Sequence, residues 1–269
     1  MSSNTLANLL NPSVPSDDAI IIPDGPTISY SQYKDEVERV AGLLAGAGVM
    51  PGRPVSIILP NSLEFMILFL AVARAGAVAA PLNSEYTTEE FKFFMEDANS
   101  QLAVIPETAH KGREAANELG IPVIDTSLNN GSVVLRENGQ NLTNSSDPQP
   151  PSEEDVALFL HTSGTTSRPK GVPLTHANLM KSINNIKTHY ELTPEDTSII
   201  VMPLFHVHGL MGASLSTLNS GGSLIIPPRF SASNFWDLQK SNSATWYSAV
   251  PTIHQILLMR ADQDNAPHE

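Results

Sequence analysis

At 269 residues with 41% hydrophobic side chains, the chain has enough apolar material for one large domain or two ordinary ones. Fifteen Lys and Arg against 28 Asp and Glu leave a net charge of −13, which excludes wrapping a polyanion such as nucleic acid and leaves open a local nucleotide site. The absence of cysteine excludes disulfides, thiolate metal sites and a cysteine nucleophile, and fits a reducing compartment.

The opening "MSSNTLANLLNPS" has neither the basic start nor the apolar run of a secretory signal, so a cytoplasmic location is expected, with the peroxisome as the alternative. Helical and β-rich segments then alternate, the pattern of mostly parallel sheets flanked by helices in an α/β fold. "SYSQYKDEVERVAGLLAGAG" puts Tyr33, Val37, Val40, Leu44 and Ala47 on one helical face. The strand "PVSIILP" follows. "FMILFLAVARAGAVAAPL" is interrupted by Arg74 and Gly76 and is shorter than the roughly 20 residues of a membrane span, so no membrane span is expected; it reads as a buried helix running into a strand. Thr87 and Glu90 form a capping box at the head of the next helix. "LAVIP" and "IPVID" read as strands around the helical "ETAHKGREAANELG".

From "NNGSVVLRENGQ" the composition turns polar, as in a surface connection. The expected organisation is a first α/β half over 1–138, a polar linker over 139–155, and a second α/β half over 156–269 that carries the loop described next. In the second half "VALFLH", "TSIIVMP", "GSLIIP" and "SATWYSAV" read as strands. "THANLMKSINNIKTHY", capped by Thr175, reads as a helix, with further helical stretches near "HGLMGASLSTL" and "SASNFWDLQK". No repeat of 20 to 50 residues is present.

Directly after "DVALFL" comes "HTSGTTSRPKG". A loop leaving the carboxyl end of a strand lies where α/β sheets bind ligands. Gly164 lets the backbone approach a phosphate, Thr162, Ser163, Thr165 and Thr166 offer hydroxyls, and Lys170 supplies a point charge. The pattern does not fit G-x-x-x-x-G-K-[ST], and by composition alone it reads equally as a surface turn.

"TSGTTSRPKGV" resembles the signature of the adenylate-forming superfamily, which includes acyl-CoA synthetases, luciferase and peptide-synthetase adenylation domains, with Ser167 standing where most members have glycine. "LFLHTSGTTSRPKGVPLTHANL", "PLFHVHGL", "RFSASNFW" and "TWYSAVPTIHQILL" are similar to the plant and fungal oxalate–CoA ligase branch. The resemblance implies the first part of the large amino-terminal domain of an enzyme that uses ATP, Mg²⁺ and coenzyme A. In the implied reaction, a carboxylate attacks the α-phosphate of ATP and releases pyrophosphate, and the thiol of coenzyme A then displaces AMP. By the same resemblance, Thr162, Ser163, Gly164, Thr165, Thr166 and Lys170 bind the β- and γ-phosphates, with Thr166 at the metal, and His206 and Lys170 are the catalytic groups. His206 and His208 border the acid, a small carboxylate, and Arg229 contacts coenzyme A. The bland readings stay open beside these: a metal-binding H-x-H, a structural His208, and an ordinary loop arginine.

The chain stops before the superfamily's Y-G-x-T-E motif, ribose-binding acid, hinge and carboxyl-terminal lysine. The expectation is therefore the amino-terminal part of a ligase, inactive alone and self-associating through uncovered apolar surface. The alternatives are a 4-coumarate- or fatty-acid-type ligase, or a non-catalytic nucleotide-binding or interaction module.

Overall fold

The computed structural model describes residues 4–10, 17–162, 169–264 and 266. A short 3₁₀ helix, Leu6–Leu10, precedes β1 (Asp18–Ile21), β2 (Thr27–Ser29), α1 (Tyr30–Gly46), β3 (Pro54–Ile57), α2 (Leu63–Arg74), β4 (Val78–Pro81), α3 (Thr88–Asp97), β5 (Leu102–Pro106) and α4 (Lys111–Leu119). Then come β6 (Val123–Asn129), β7 (Ser132–Glu137), β8 (Gln140–Asn141), β9 (Val156–Thr162), β10 (Lys170–Thr175), α5 (His176–His189) and β11 (Thr197–Ile199). A π-helical stretch, His208–Leu215, runs into α6 (Ser216–Ser220), and β12 (Ser223–Ile225), α7 (Ala232–Ser241) and α8 (Pro251–Arg260) follow.

The strands form an eight-stranded sheet in the order β10-β9-β4-β3-β5-β6-β7-β8 and a four-stranded sheet in the order β11-β12-β1-β2. The run from β9 to β6 is parallel, and the antiparallel pairs lie toward the sheet ends. Both sheets take strands from each side of residues 139–155. Helices α1, α2, α5 and α6 fill the space between the sheets; α3 and α4 cover the far face of the large sheet, and α7 and α8 that of the small one. Strands covered on both faces need no polar alternation, and all four residues of β4 are buried.

Local chemistry explains the helix starts. Thr87 Oγ1 accepts from the Glu90 N–H at 3.3 Å, and Glu90 Oε2 accepts from the Thr87 N–H at 2.8 Å. The latter bond holds the Glu90 carboxyl below the usual carboxylate range. Thr175 caps α5 through the Asn178 N–H at 3.2 Å, as its position in the sequence predicts.

Two expectations are corrected, and one strand forms where none was expected. "NNGSVVLRE" is not a connection but the turn and second strand of a hairpin: Asn130 and Gly131 both take positive φ, 49° and 85°, and Val133 and Leu135 point inward. "SATWYSAV" touches the sheet only through an isolated bridge from Trp246 to Ser198. "KGVPLT" forms β10, an edge strand in which Pro173 is tolerated.

Residues 144–148 lie along the helices. The Ser146 N–H donates to Gly42 O at 3.1 Å, and the Arg74 guanidinium reaches Pro148 O at 3.0 Å. A methyl group at Gly46 would collide with the carbonyl of Asn144, so glycine is required by this close approach.

His176, buried at the first position of α5, accepts from the Leu6 N–H through Nδ1 at 3.2 Å and so ties the amino-terminal 3₁₀ helix to the second half. Burial pulls its pKa from 6.5 to about 4, with Asp155 opposing. The neutral ring is the native form; the unfolded chain takes up its proton below about pH 6.5 and the folded chain only near pH 4. Its contribution is therefore complete above pH 6.5 and lost as pH falls from 6.5 through about 4, on the order of 3 kcal/mol. In His176→Asn, which keeps an acceptor near Nδ1 but does not titrate, thermal unfolding should show a wild-type advantage that shrinks over this window. An advantage independent of pH would show that His176 does not titrate on unfolding.

Candidate functional site

The carboxyl ends of the parallel neighbours β4 and β9 open into a cavity of about 100 Å³ lined by Pro81, Leu82, Tyr86, Phe94, Leu160, His161, Thr162, Phe205, His206 and Val207. This is where a parallel sheet presents a ligand site, because the helix crossovers leave that edge free. Thr162 reaches it as the last residue of β9, and Lys170 lies directly opposite Thr162 in the antiparallel register, exposed at the start of β10. Ser163, Gly164, Thr165 and Thr166, the rest of the expected phosphate loop, lie outside the described residues.

His206 arrives from the loop after β11, and α2 holds that loop. Asn61, just ahead of the Ser62 cap of α2, donates through Nδ2 to Met202 O at 3.0 Å and accepts from the Leu204 N–H at 2.8 Å through Oδ1. Gly209 lets the chain turn tightly there, since a methyl would strike the carbonyls of Pro203 and Met202. The His206 ring lies against Phe205, with centroids 4.5 Å apart. Lost hydration brings its pKa below the ordinary 6.5, so at neutral pH His206 is an uncharged hydrogen-bonding group.

His208 is placed elsewhere. It begins the π-helical stretch, and its Nε2 lies 2.8 Å from Ser248 Oγ, fastening that stretch to the segment before α8; it does not line the cavity. Ser214 Oγ donates to the Gly209 carbonyl at 2.8 Å, five residues back, and supports the wide turn. Tyr247 and His254 form a separate chain of hydrogen bonds: His254 Nε2–H donates to Ala249 O at 3.2 Å, leaving Nδ1 to accept from the Tyr247 hydroxyl at 3.0 Å. Arg229 is exposed between β12 and α7, away from the cavity lining.

His161 was not singled out by sequence reasoning, yet its ring is part of the cavity wall. Its Nε2 lies 2.9 Å from Asp97 Oδ2 at the end of α3, and its ring packs edge-on against Phe94 at 4.7 Å and Phe159 at 5.2 Å. The signal was available, as a histidine ending an apolar strand, but its partner is 64 residues away.

Residues 12–268 match the family described as AMP-binding enzyme. The chain belongs to this family. Among its relatives in the AMP-binding family, the oxalate–CoA ligase of Arabidopsis thaliana is 45% identical over 270 residues, covering 97% of this chain and 52% of the relative. The oxalate–CoA ligase of Saccharomyces cerevisiae is 34% identical, covering 93% and 52%. ATP-bound MatB from Rhodopseudomonas palustris superposes with a TM-score of 0.82 at 31% identity, covering 95% of this chain and 51% of that one. The o-succinylbenzoate CoA synthetase of Bacillus subtilis, solved with the acyl-adenylate intermediate OSB-AMP, gives 0.82 at 25% identity, covering 96% and 64%. The resemblance read from "TSGTTSRPKGV" and "PLFHVHGL", and the fold class it implied, are thus borne out. The chain spans about half the length of the curated relatives it matches.

Asn61→Ala should leave the Met202 carbonyl and Leu204 N–H unpaired, costing about 1–3 kcal/mol. It should also free the His206 loop, so that an NMR titration finds the His206 pKa moved back toward 6.5. A His206 titration identical to wild type would show that Asn61 does not set this loop.

Proposed function

We propose that this chain forms the phosphate-binding and acid-binding part of an ATP-dependent, AMP-forming acid–CoA ligase whose acid is a small carboxylate, oxalate first. The observation that carries the reading is the small cavity beside Thr162, about 100 Å³, with the His206 imidazole on an otherwise mostly apolar wall. For scale, an enclosed apolar cavity of roughly 150 Å³ takes up a single benzene ring. A two- or three-carbon acid is commensurate with this volume, which favours a small carboxylate over the 4-coumarate- and fatty-acid-type alternatives. The identity to two oxalate–CoA ligases points the same way.

In this reading the acid lies beside neutral His206, which orients a carboxylate oxygen toward the α-phosphorus by hydrogen bonding. Thr162, Ser163, Gly164, Thr165, Thr166 and Lys170 surround the β- and γ-phosphates and hold the departing pyrophosphate, where hydroxyl donors and one cation offset developing charge. Magnesium, when bound, neutralises further phosphate charge. Thr166 is the residue of this chain that would take part in holding the ion beside the phosphates. Arg229, exposed on its loop, is available to the nucleotide of coenzyme A. On α8, Leu258 and Met259 are 74% and 84% exposed, which supports self-association of this chain. Among the described residues no helix is long and apolar enough to cross a membrane.

Lys170→Ala is expected to leave thermal stability within about 0.5 kcal/mol, as for an exposed surface position. It should weaken binding of MgATP or pyrophosphate to the chain by about tenfold or more, the loss of one charge-assisted contact; calorimetric titration measures this, and unchanged affinity would remove Lys170 from the site. The acid is tested by AMP release with oxalate, malonate, a cinnamate and a medium-chain fatty acid, for the chain alone and for a polypeptide of its relatives' full length. The longer polypeptide should favour oxalate and the chain alone should release no AMP. Preference for cinnamate or fatty acid would assign another substrate class, and turnover by the chain alone would show that the described cavity is self-sufficient.

A further inference from the structure

The wall of the cavity is mostly apolar: Pro81, Leu82, Phe94, Leu160, Phe205 and Val207 offer no polar side-chain atom. Among the described residues, its polar side chains are those of Tyr86, His161, Thr162 and His206. The second imidazole at the cavity is thus His161 and not His208, whose Nε2 is engaged with Ser248.

His161 is held more firmly than a loop residue. Its side chain is 8% exposed, and Asp97 sits 2.9 Å from Nε2. The rings of Phe93, Phe94 and Phe159 surround it with centroids at 6.4, 4.7 and 5.2 Å. A carboxylate can only accept, so Nε2 carries the proton. Nδ1 makes no hydrogen bond among the described residues, although the ring lines the cavity. A phenyl ring would fill the same aromatic surroundings; what imidazole adds is a second nitrogen whose orientation Asp97 fixes, the arrangement by which a carboxylate orients a working histidine.

We propose that His161, oriented by Asp97, is a further substrate-positioning residue whose Nδ1 takes an anionic oxygen, of carboxylate or phosphate, in the cavity it shares with His206. This rests on the acid–CoA ligase reading of the cavity. With the proton on Nε2, a neutral ring has only a lone pair at Nδ1 and would repel an anion. Binding of the anion is therefore coupled to uptake of one proton from solvent at Nδ1, and the resulting imidazolium lies between the anion and Asp97, a charge-assisted contact on each side. The ionisable groups around the ring are Asp97 on α3, Tyr86 on the loop after β4, His206 across the cavity, and Lys170 on β10 opposite Thr162. Because His161 immediately precedes Thr162, the same contact ties the position of the acid to the start of the phosphate loop.

The test is long-range ¹H–¹⁵N NMR of the histidine side chains in the whole chain. Without ligand, His161 should show its proton on Nε2. Titration with oxalate should move the Nδ1 resonance saturably to the protonated position, and a parallel titration with pyrophosphate identifies which oxygen is taken; a response to either supports the assignment. If His206 responds and His161 does not, the role of His161 is refuted and the ligase reading stands. If neither responds to oxalate or pyrophosphate, both are refuted. His161→Phe, which keeps the aromatic packing, should retain a cooperative melt and bind the responding anion at least tenfold more weakly. Equal affinity, or in wild type a resting proton on Nδ1, overturns the proposal.

Discussion

Helix α2 has almost no side that meets water. Apart from Glu64 and the terminal Arg74, every residue from Leu63 to Arg74 is buried, and burial raises even the Glu64 carboxyl above its ordinary value. A helix apolar nearly all round has to be enclosed on all sides, and here the enclosure is the space between the two sheets. Each large side chain removed from water contributes about 1.5–3 kcal/mol, so α2 acts as the fixed member against which other elements are set. Its first turn continues from Asn61, which holds the loop to His206; it packs on β3 and β4, and β4 pairs with β9, which ends at Thr162. At its far end Arg74 binds Glu38 at 2.9 Å and the carbonyl of Pro148. Both arms of the cavity and the path of residues 144–148 thus depend on one helix.

What was legible in the sequence was chemistry between near neighbours. The boxes at Thr87 and Thr175, the buried nature of α2, and the inward face of α1 through Tyr33, Val37, Val40 and Leu44 all rest on residues three or four apart. What was lost depends on partners far along the chain. The strand β7 was lost in a polar reading because Asn129, Asn130, Gly131, Asn138 and Gly139 flank it, and only its pairing with β6 across Asn130 and Gly131 makes it part of a sheet. The small sheet joins β1 and β2 to β11 and β12, nearly two hundred residues away, a pairing to which periodicity is blind. The π-helical stretch from His208 differs from an ordinary helix by a hydrogen-bond step that hydrophobic spacing does not encode.

The site divides in the same way. Hydroxyls, glycine and lysine suggested an anion-binding loop through residue types alone, and of the expected residues Thr162 and His206 do meet at one cavity. His208 shared the motif with His206 but faces Ser248, because two residues along a tightly turning chain need not share a direction. His161 gave no comparable sign: its meaning depends on Asp97 and Phe94 from α3.

The pairing of Thr162 with Lys170 also fixes the separation between the two ends of the segment that joins them. Seven residues separate two positions held opposite each other by the β9–β10 ladder. Bringing the ends of a chain segment together has an entropic cost that rises with its length, and here the β9–β10 ladder meets that cost. The Thr162 and Lys170 positions therefore stay next to each other whatever path the intervening residues take, and a group that met both would find them already at high effective concentration.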